Sequence, residues 1–298
     1  MKIPKINLEQ WAAFKAVVDE GSFAKAAEQL NKSQSSVSYM LANLQKQLPA
    51  PVLMLQGRKA VLTESGKVLY RHAKNLLESA LNIEQTAAHL AMGWESEVTI
   101  AVDGLMPIEP VLAAIEQFSN QHPKTRIRIL ETVLSATEEA ILEKTADIVL
   151  TPKIVPGFLG TPITTATMIA VAHPKHSLFN LTPPINHEDL KQYRQIVIRD
   201  SGVKRQQDAG WLAAEQRLTV TSPDTSIKAV KAGIGFAFLP QAMIQFELTH
   251  NQLKQIPLSQ NAYRALPIYL VQTKQDDSGP ATKKLVDCLL EQFPLTPT

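Results

Sequence analysis

Five polar side chains recur along one face of a predicted helix near the amino terminus, and their chemistry suits nucleic acid. The apolar positions of this helix fall on its opposite side. The five polar residues are Gln34, Ser35, Ser38, Tyr39 and Asn43. Amides, hydroxyls and a phenol are short or planar groups that hydrogen-bond base edges and phosphates. An ordinary helical hairpin with a solvated polar face would show the same periodicity. The spacing by itself leaves both interpretations open.

Cations stand at two places beside this polar face. Lys32 and Ser33 immediately precede the helix, and Ser33 is its predicted N-cap. Arg58 and Lys59 lie between two short apolar runs, which predicts a hairpin with both cations at its tip. Such cations bind phosphates and add salt-dependent affinity, but they carry no sequence information.

Three short helices must hold the polar face in place. The first covers residues 7–19 and carries an apolar stripe with Trp11 and Phe14, which we expect in the core rather than against bases. Ser22 and Ser33 are the predicted caps of the second and third helices, and a tight polar turn joins these two. The pattern predicts a helix-turn-helix followed by a hairpin wing.

Residues 67–92 contain neither glycine nor proline, which predicts one long linker helix. Large apolar residues recur at every seventh position, and alanines follow the first three of them by four residues. This period is typical of a coiled-coil seam, so we predict that the helix pairs with a second copy. The alternative is that the stripe packs on the helix's own domain. The seam residues are Leu69, Ala73, Leu76, Ala80, Ile83, Ala87 and Leu90.

Motifs for catalysis or metal binding are absent from the sequence. There is no GxSxG, Walker-type loop, HExxH or CxxC motif. Cys288 is the only cysteine, and His173 and His176 lack further ligands near them in the sequence. We therefore predict no enzyme activity, no cofactor and no metal site.

Charge is unevenly distributed along the 298 residues. Residues 1–92 hold 11 Lys/Arg and 7 Asp/Glu, a net charge of +4, whereas residues 93–298 hold 19 and 21, a net charge of −2. A basic head on a slightly acidic body fits a nucleic-acid module joined to a second domain. The sequence shows no signal peptide and no apolar run of membrane-spanning length, so we expect a cytoplasmic protein without a membrane partner.

Beyond Gly93, strands alternate with helices, which predicts a two-lobed α/β domain with mostly parallel strands. Lobe I takes about residues 97–155 and 263–298, and lobe II about 163–262, with a Pro- and Gly-rich crossover at 151–162. Ligands of such folds bind where the carboxyl ends of the strands meet. A cleft between the lobes is therefore the predicted ligand site.

The turns after the predicted strands supply the candidate ligand contacts. Apolar side chains next to the single carboxylate of Asp103 predict a small, largely apolar ligand, with Arg199 able to pair with a ligand carboxylate. Asp103 can also be a plain helix cap, and Arg199 can instead pair with the surroundings of Asp200. The predicted contacts are Asp103, Gly104, Leu105, Met106, Thr151, Arg199, Ser201, Asp224, Thr225 and Phe238.

A dozen residues in register over about sixty positions resemble the amino-terminal domain of LysR-type transcriptional regulators. Two later fragments, His173-Pro174 and residues 232–240, resemble the effector domain of the same family. The residues that carry the first resemblance are Gly21-Ser22-Phe23, Ala26-Ala27, Leu30, Ser33-Gln34, Val37-Ser38, Leu41, Leu44 and Leu62-Thr63-Glu64-Ser65-Gly66.

The resemblance implies a fold and a set of partners. It implies a winged helix-turn-helix over residues 1–66, a dimerising linker helix over 67–92 and a periplasmic-binding-protein-like effector domain over 93–298. Linker helices of this family pair antiparallel, and the implied partners are double-stranded DNA, a small-molecule effector, further copies in a dimer or tetramer, and RNA polymerase. Tyr39 stands where an arginine is common, and Asp103-Gly104 stands where Ser or Thr is usual.

Two other classes of protein fit parts of the pattern. A stand-alone solute-binding protein would have the two-lobed domain but not the amino-terminal helices. An architectural DNA-binding protein would use the second domain for oligomerisation alone, and ligand-dependent thermal stabilisation would distinguish it from a ligand-responsive regulator.

Overall fold

The chain divides into two units, residues 1–92 and residues 93–298. The computed structural model describes residues 3–56, 59–204, 210, 213–259 and 263–293. None of the described helices has the length and apolar character needed to cross a membrane.

Side-chain caps fix where the first helices begin. Asn7 and Gln10 form a capping box, in which each side chain accepts the backbone N–H of the other residue at 2.9 and 3.0 Å. Ser33 accepts the N–H of Ser36 at 3.2 Å, whereas Ser22, predicted as a cap, makes no side-chain capping bond. The resulting helices are α1 (Leu8–Glu20), α2 (Phe23–Gln29) and α3 (Gln34–Gln47).

The three helices enclose a small apolar core. Phe14, Val37 and Leu44 are fully buried, and the ring of Trp11 lies edge-on to Phe14 with their centroids 6.1 Å apart. The aromatic residues of α1 are therefore core residues, as the sequence predicts. Burial of this core fixes α3 with its opposite face outward.

A short wing follows α3 and is attached to it. The wing is an antiparallel hairpin in which Leu53 pairs with Leu62. The side-chain oxygen of Gln45 accepts the backbone N–H groups of Val52 and Leu53 at 3.1 and 3.3 Å, so one residue of α3 holds the start of the wing. The strands are β1 (Leu53–Gln56) and β2 (Lys59–Leu62).

The linker helix begins three residues earlier than predicted. Thr63 is its cap and accepts the N–H of Gly66 at 2.9 Å. A Cβ on Gly66 would lie 2.0 Å from the carbonyl oxygen of Val52, so the chain passes the wing closely at a position that only glycine fits. The helix, α4 (Glu64–Ala91), has 28 residues, and a rise of 1.5 Å per residue makes it about 42 Å long.

The second unit is built on one sheet, and the described residues contribute nine strands to it. Most strands begin and end close to an apolar run in the sequence, but β6 begins well before its apolar run at residues 168–172, and β10 is short and was not predicted. The strands are β3 (Glu97–Asp103), β4 (Arg126–Thr132), β5 (Ile148–Thr151), β6 (Gly160–Ala172), β7 (Gln195–Ile198), β8 (Arg217–Val220), β9 (Phe236–Pro240), β10 (Lys254–Gln255) and β11 (Tyr263–Gln272).

Helices flank this sheet. The helices predicted after the first strand, before β5, before β9 and at the carboxyl end are present, with bounds shifted by one or two residues. Two short helices were not predicted, and most of the helix predicted between Val203 and Ala214 lies outside the described residues. The helices are α5 (Glu109–Gln121), α6 (Ser135–Leu142), α7 (His187–Lys191), α8 (Pro223–Lys231), α9 (Gln245–Thr249) and α10 (Pro280–Gln292).

The sheet order shows how the two lobes are joined. It is β4-β3-β5-β11-β6-β9-β7-β8, with β10 beside β6. Strands β3, β4 and β5 are parallel, as are β7, β8 and β9, which gives one α/β lobe at each end. Between them β6 and β11 pair antiparallel along almost their whole lengths.

The predicted crossover extends into a strand. Residues 151–162 were predicted as the crossover between the lobes, and β6 already begins at Gly160. The connection between the lobes is made by the long pair β6 and β11, because β11 also pairs with β5 and β6 with β9. Strand β11 was assigned to lobe I alone, and its pairing with β6 makes it part of the junction.

Candidate DNA-contacting surface and ligand cavity

The outer face of α3 is a polar strip. Lys32, Ser33, Gln34, Ser35 and Ser38 are exposed, and Asn43 is half-buried. The side chain of Tyr39 is 69% exposed although its neighbours on the inner face of α3 are buried. The structure thus brings the residues predicted on this helix together on one surface, hereafter the α3 strip.

Electrostatics at the start of α3 favour an anion. The first turn of α3 contains no acidic residue, so the partial positive charge of the helix amino terminus is not neutralised there. The hydroxyls of Ser33 and Ser35 lie 3.0 Å apart beside it. The ammonium of Lys32 is 3.1 Å from the carboxylate of Glu9, an exposed pair that contributes little to stability. A phosphate at this end of α3 would meet donors and a cation.

The wing tip carries the other predicted cations. Arg58 lies outside the described residues, and so does the side chain of Lys59. The hairpin that would present them is present in the predicted place. Their phosphate contacts stay a prediction.

The first turns of α4 belong to the core of the helix-turn-helix. Ala73 is 2% exposed among the residues of that core, and Leu69 is half-buried against it. Tyr70, between them, donates its hydroxyl to the carboxylate of Asp19 on α1. Ala73 is therefore not available as a seam residue and Leu69 is partly covered, so this part of α4 packs on the helix's own domain.

Farther along, α4 exposes an apolar stripe. Leu76, Ile83 and Leu90 are 45, 71 and 47% exposed, at intervals of seven residues. Ala80 is half-buried and Ala87 is exposed on the same helix. An exposed stripe of this period suits packing against another helix. The pairing with a second copy stays a prediction, now confined to residues 76–90.

A cavity of about 810 Å³ opens between the two lobes of the second unit. Four predicted contacts line it: Asp103 at the end of β3, Gly104 and Leu105 in the turn after it, and Phe238 on β9. Most of its other walls are apolar. The further apolar residues are Val133, Leu134, Pro152, Met168, Ile196, Val197, Ile198, Pro223 and Leu266.

Two predicted contacts from lobe I are turned away from this cavity. Met106 is 3% exposed and packs in the lobe core, because the turn after β3 directs its side chain inward. The hydroxyl of Thr151 is hydrogen-bonded to a nearby residue of the same chain. It donates to the Lys153 carbonyl at 3.0 Å and accepts the Lys153 N–H at 3.1 Å. Neither residue lines the cavity.

The predicted contacts from lobe II are displaced by a residue or two. Arg199 and Thr225 are exposed outside the cavity, and Asp224 pairs with Lys228 on the surface of α8 at 2.6 Å. Pro223 and Ser226 line the cavity instead. Positions three apart share one face of a helix, so the two residues between them point elsewhere.

Ser201 also lies outside the cavity, because it takes part in a contact between the lobes. Its hydroxyl accepts the N–H of Val133 at 2.8 Å. Beside it the buried carboxylate of Asp200 accepts the Ser135 N–H at 3.1 Å and the Ser135 hydroxyl at 2.7 Å. Glu139 accepts the N–H groups of Val203 and Lys204 at 3.0 and 2.9 Å. We call this set of bonds the interlobe clasp.

Asp103 sits at the wall of the cavity with its carboxylate already hydrogen-bonded. It accepts the Leu105 N–H at 3.1 Å and the Thr137 hydroxyl at 2.7 Å, and it is 4% exposed. Burial raises the pKa of Asp103 to about 6, against the opposing effect of the Thr137 bond, and the nearby Asp200 adds to the rise. The bond to the Leu105 N–H is a local turn at the end of β3, and α5 begins after its N-cap Ile108 without a side-chain capping bond, so Asp103 does not cap that helix.

The described residues contain no cluster of three or more His, Cys, Asp or Glu side chains that could hold a metal ion. His173 and His176 each accept a backbone N–H two residues farther on, at 3.2 Å. Burial lowers the pKa of His176, with His173 adding to the effect. Both rings serve as turn caps here.

Sequence reasoning missed the contribution of the central strands. Arg264 and Leu266 of β11 and Met168 of β6 line the cavity, and Arg264 is paired in register with Met168. Residues 264 and 266 share one face of β11 because side chains of a strand alternate. That alternation was readable in the sequence, but the position of β11 at the middle of the sheet was not.

A helix-turn-helix with a polar outer strip and a two-lobed unit with a cavity between its lobes define a ligand-responsive DNA-binding regulator. Two family models match the chain: "Bacterial regulatory helix-turn-helix protein, lysR family" over residues 8–67 and "LysR substrate binding domain" over residues 91–294. The chain belongs to the LysR family of transcriptional regulators, which confirms the resemblance seen in the sequence.

Known proteins agree with this assignment. "Uncharacterized HTH-type transcriptional regulator YeeY" of Escherichia coli K12 is 30% identical over 235 residues, 77% of this chain and 76% of that protein. "Probable HTH-type transcriptional regulator YhaJ" of the same strain is 27% identical over 256 residues, 84% and 86% of the two chains. The structure of full-length LysG from Corynebacterium glutamicum with bound effector Arg has a TM-score of 0.54 at 16% identity, covering 97% and 98%, and supports the fold.

Proposed function

We propose that two copies of this regulator place their α3 helices in successive major grooves of an inverted-repeat DNA site. The α3 strip is the observation that carries the proposal, because it is exposed, polar and held outward by the buried face of the same helix. Paired recognition helices require half-sites about one DNA turn, or a multiple of it, apart.

Different parts of the strip are assigned different tasks. The amide of Gln34 can form two hydrogen bonds with adenine, so we assign base reading to it together with Ser35, Ser38 and Tyr39. Lys32 and Ser33 at the start of α3, Asn43 at its edge and the wing cations Arg58 and Lys59 are assigned to the backbone.

Dimerisation is assigned to the exposed stripe of α4, from Leu76 to Leu90. Pairing would bury these side chains and fix the distance between two α3 helices. We further propose assembly of two such dimers into a tetramer, contact with RNA polymerase at the promoter, and action in the cytoplasm, where the DNA is.

The cavity is assigned to a small, largely apolar effector. A ligand that contacts both lobes would favour one arrangement of them over others and so bias the DNA-bound state. Its apolar walls, from Leu105 and Leu134 on one side to Ile196 and Phe238 on the other, suit a hydrocarbon or aromatic body.

The DNA proposal is tested on the full chain with a duplex selected from genomic fragments. Gln34→Ala should weaken binding to the selected duplex by about 1–3 kcal/mol while leaving binding to a scrambled duplex unchanged. Gln47→Ala, an exposed glutamine at the last position of α3, is the matched control and should change neither affinity. Equal losses on both duplexes for Gln34→Ala would remove its role in base reading.

A further inference from the structure

The charged side chains that line the cavity differ in the hydrogen bonds and ion pairs that they already make. Lys153 pairs with Glu138 at 2.7 Å, and Asp103 accepts two hydrogen bonds from its own lobe. Arg264 is exposed at the cavity wall, and within the described part of the chain its guanidinium makes no hydrogen bond or ion pair. Among the Lys, Arg and Asp side chains that line the cavity, Arg264 is therefore the one without a hydrogen bond or ion pair in the described part of the chain.

A buried hydroxyl in the same cavity also lacks a partner. Ser226 is 1% exposed, and its Oγ has no hydrogen-bond partner among the described residues. Leaving a buried hydroxyl unbonded is unfavourable, so such a group marks a place where a ligand atom would be stabilised. Ser226 lies on the second turn of α8, whose N-cap Ser222 makes no side-chain capping bond.

The strands place these donors around an apolar floor. Arg264 and Leu266 share a face of β11, and Met168 lies beside Arg264 on β6. Phe238 continues the floor on β9, where Ala170 of β6 is its partner in register. A ligand on this floor would reach Arg264 at one end, while its body would contact hydrocarbon.

We propose that the effector is an apolar organic acid whose carboxylate pairs with Arg264, whose body packs on Met168, Leu266 and Phe238, and whose second polar atom bonds the Ser226 hydroxyl. This inference rests on the proposed function, because it names the chemical class of the molecule in that cavity. A guanidinium binds a carboxylate through two parallel hydrogen bonds, which gives both affinity and orientation.

A cationic ligand on Asp103 is the natural rival. Asp103 is 4% exposed, and its oxygens accept the Leu105 N–H and the Thr137 hydroxyl. A ligand ammonium would have to displace these bonds, whereas a carboxylate at Arg264 displaces none that the structure shows. The sequence pointed to Arg199 for this task, and that side chain lies outside the cavity.

Three isosteric probes test the charge preference on the full-length protein: 3-phenylpropionate, 3-phenylpropionamide and 3-phenylpropylamine. Isothermal titration calorimetry should show the acid binding roughly tenfold tighter than the amide, as expected for a charge-assisted contact. The amine should bind more weakly than the amide. Equal affinities, or a preference for the amine, would overturn the inference, and so would an absence of acid binding.

Variants then locate the contact. Arg264→Gln should remove the tenfold preference for the acid while leaving the affinity for the amide within about twofold. Arg199→Gln, an arginine outside the cavity, should keep the preference. Ser226→Ala should weaken binding of 3-(4-hydroxyphenyl)propionate, whose phenol supplies a second polar atom, severalfold more than binding of 3-phenylpropionate, without lowering the stability of the free protein, because it removes an unsatisfied group. Retention of the preference in Arg264→Gln would assign the carboxylate to another residue.

Failure of this inference is distinguishable from failure of the proposed function. Leu105→Trp adds a large side chain at a residue that lines the cavity, and it should abolish binding of every probe that enters there. If the amide or the amine binds better than the acid and Leu105→Trp removes that binding, the cavity is a ligand site for another chemical class. If Leu105→Trp leaves all binding unchanged, the cavity itself is not the site.

Discussion

The α3 strip and the ligand cavity are built in opposite ways. The strip comes from one helix, and its described residues fall between 32 and 43 in the sequence. The cavity takes its walls from residues as far apart as Asp103 and Leu266, carried by turns, helices and the two central strands. One site depends on the periodicity of a single segment, and the other depends on how the whole sheet is ordered.

This contrast shows where local rules suffice. On α3, burial of Val37 and Leu44 determines which side chains face solvent, so the surface follows from the pattern of one helix. In the second unit, rotating α8 by one residue decides whether Ser226 or Thr225 faces the ligand. There, contacts between distant segments determine which way a side chain points. The interlobe clasp is one set of such contacts.

The first test asks whether the α3 strip also depends on a segment distant from it in the sequence. Ala73 of α4 is buried in the helix-turn-helix core. Ala73→Glu should destabilise the first unit by on the order of 4 kcal/mol, because it buries an unpaired charge. Urea unfolding followed by circular dichroism measures the loss.

Ala88→Glu is the control for this substitution. Ala88 lies on the same helix and is exposed, so the same change in charge should alter stability by less than about 0.5 kcal/mol. If both variants are equally stable, the packing of Ala73 does not support the domain, and the strip is held by α1 to α3 alone.

A second test concerns the interlobe clasp. Asp200→Ala leaves the Ser135 N–H and hydroxyl without their acceptor, and we expect a loss of about 3 kcal/mol in the second unit. Asp224→Ala, which removes an exposed carboxylate, is the control. Hydrogen exchange of residues 133–143 should accelerate in Asp200→Ala alone. Unchanged exchange would mean that the clasp contributes nothing to holding the lobes together.

The sequence predicts features that depend on neighbouring residues better than features that depend on distant segments. Helices α1 to α3, the wing and the exposure of Gln34 and Tyr39 were predictable because each rests on neighbouring residues. The seven-residue repeat of α4 was also recognisable in the sequence, but the repeat does not indicate which surface packs against its apolar residues. Leu69 and Ala73 are covered by their own domain, and Leu76 and Ile83 are exposed.

Apart from Phe238 on β9, the predicted contacts that line the cavity follow directly from the end of a strand. Asp103 and Leu105 were found because parallel strands bring their carboxyl ends to one edge of a sheet. Arg264 was missed because nothing local indicates that β11 lies between β5 and β6. Met106, Arg199 and Thr225 were placed in the cavity by proximity in sequence, and the turn and helix geometry directs them elsewhere.

The smallest expected effect is a pH dependence at the cavity wall. Burial raises the pKa of Asp103 to about 6, above its usual value of 3.8, so the folded protein favours the protonated form. The corresponding stabilisation is present at low pH and is lost as the pH rises through about 6.

The wild-type protein should therefore gain about 1 kcal/mol relative to Asp103→Asn when the pH falls from about 7.5 to about 5. Urea titrations at several pH values give this difference directly. Asp224→Asn, an exposed substitution, should follow the wild-type curve. Parallel curves for wild type and Asp103→Asn would mean that Asp103 titrates alike in the folded and unfolded chain.

The anchoring of Ala73 and Leu69 has a mechanical consequence. Because the first turns of α4 are fixed in the helix-turn-helix core, the rest of α4 and helix α3 should rotate together as one rigid body. The 16 residues from Leu76 to Ala91 span about 24 Å, so a tilt of about 10° at the anchored end displaces the far end by about 4 Å. Equally, a displacement of a few ångströms at that far end would turn α3, and the wing would turn with it through Gln45.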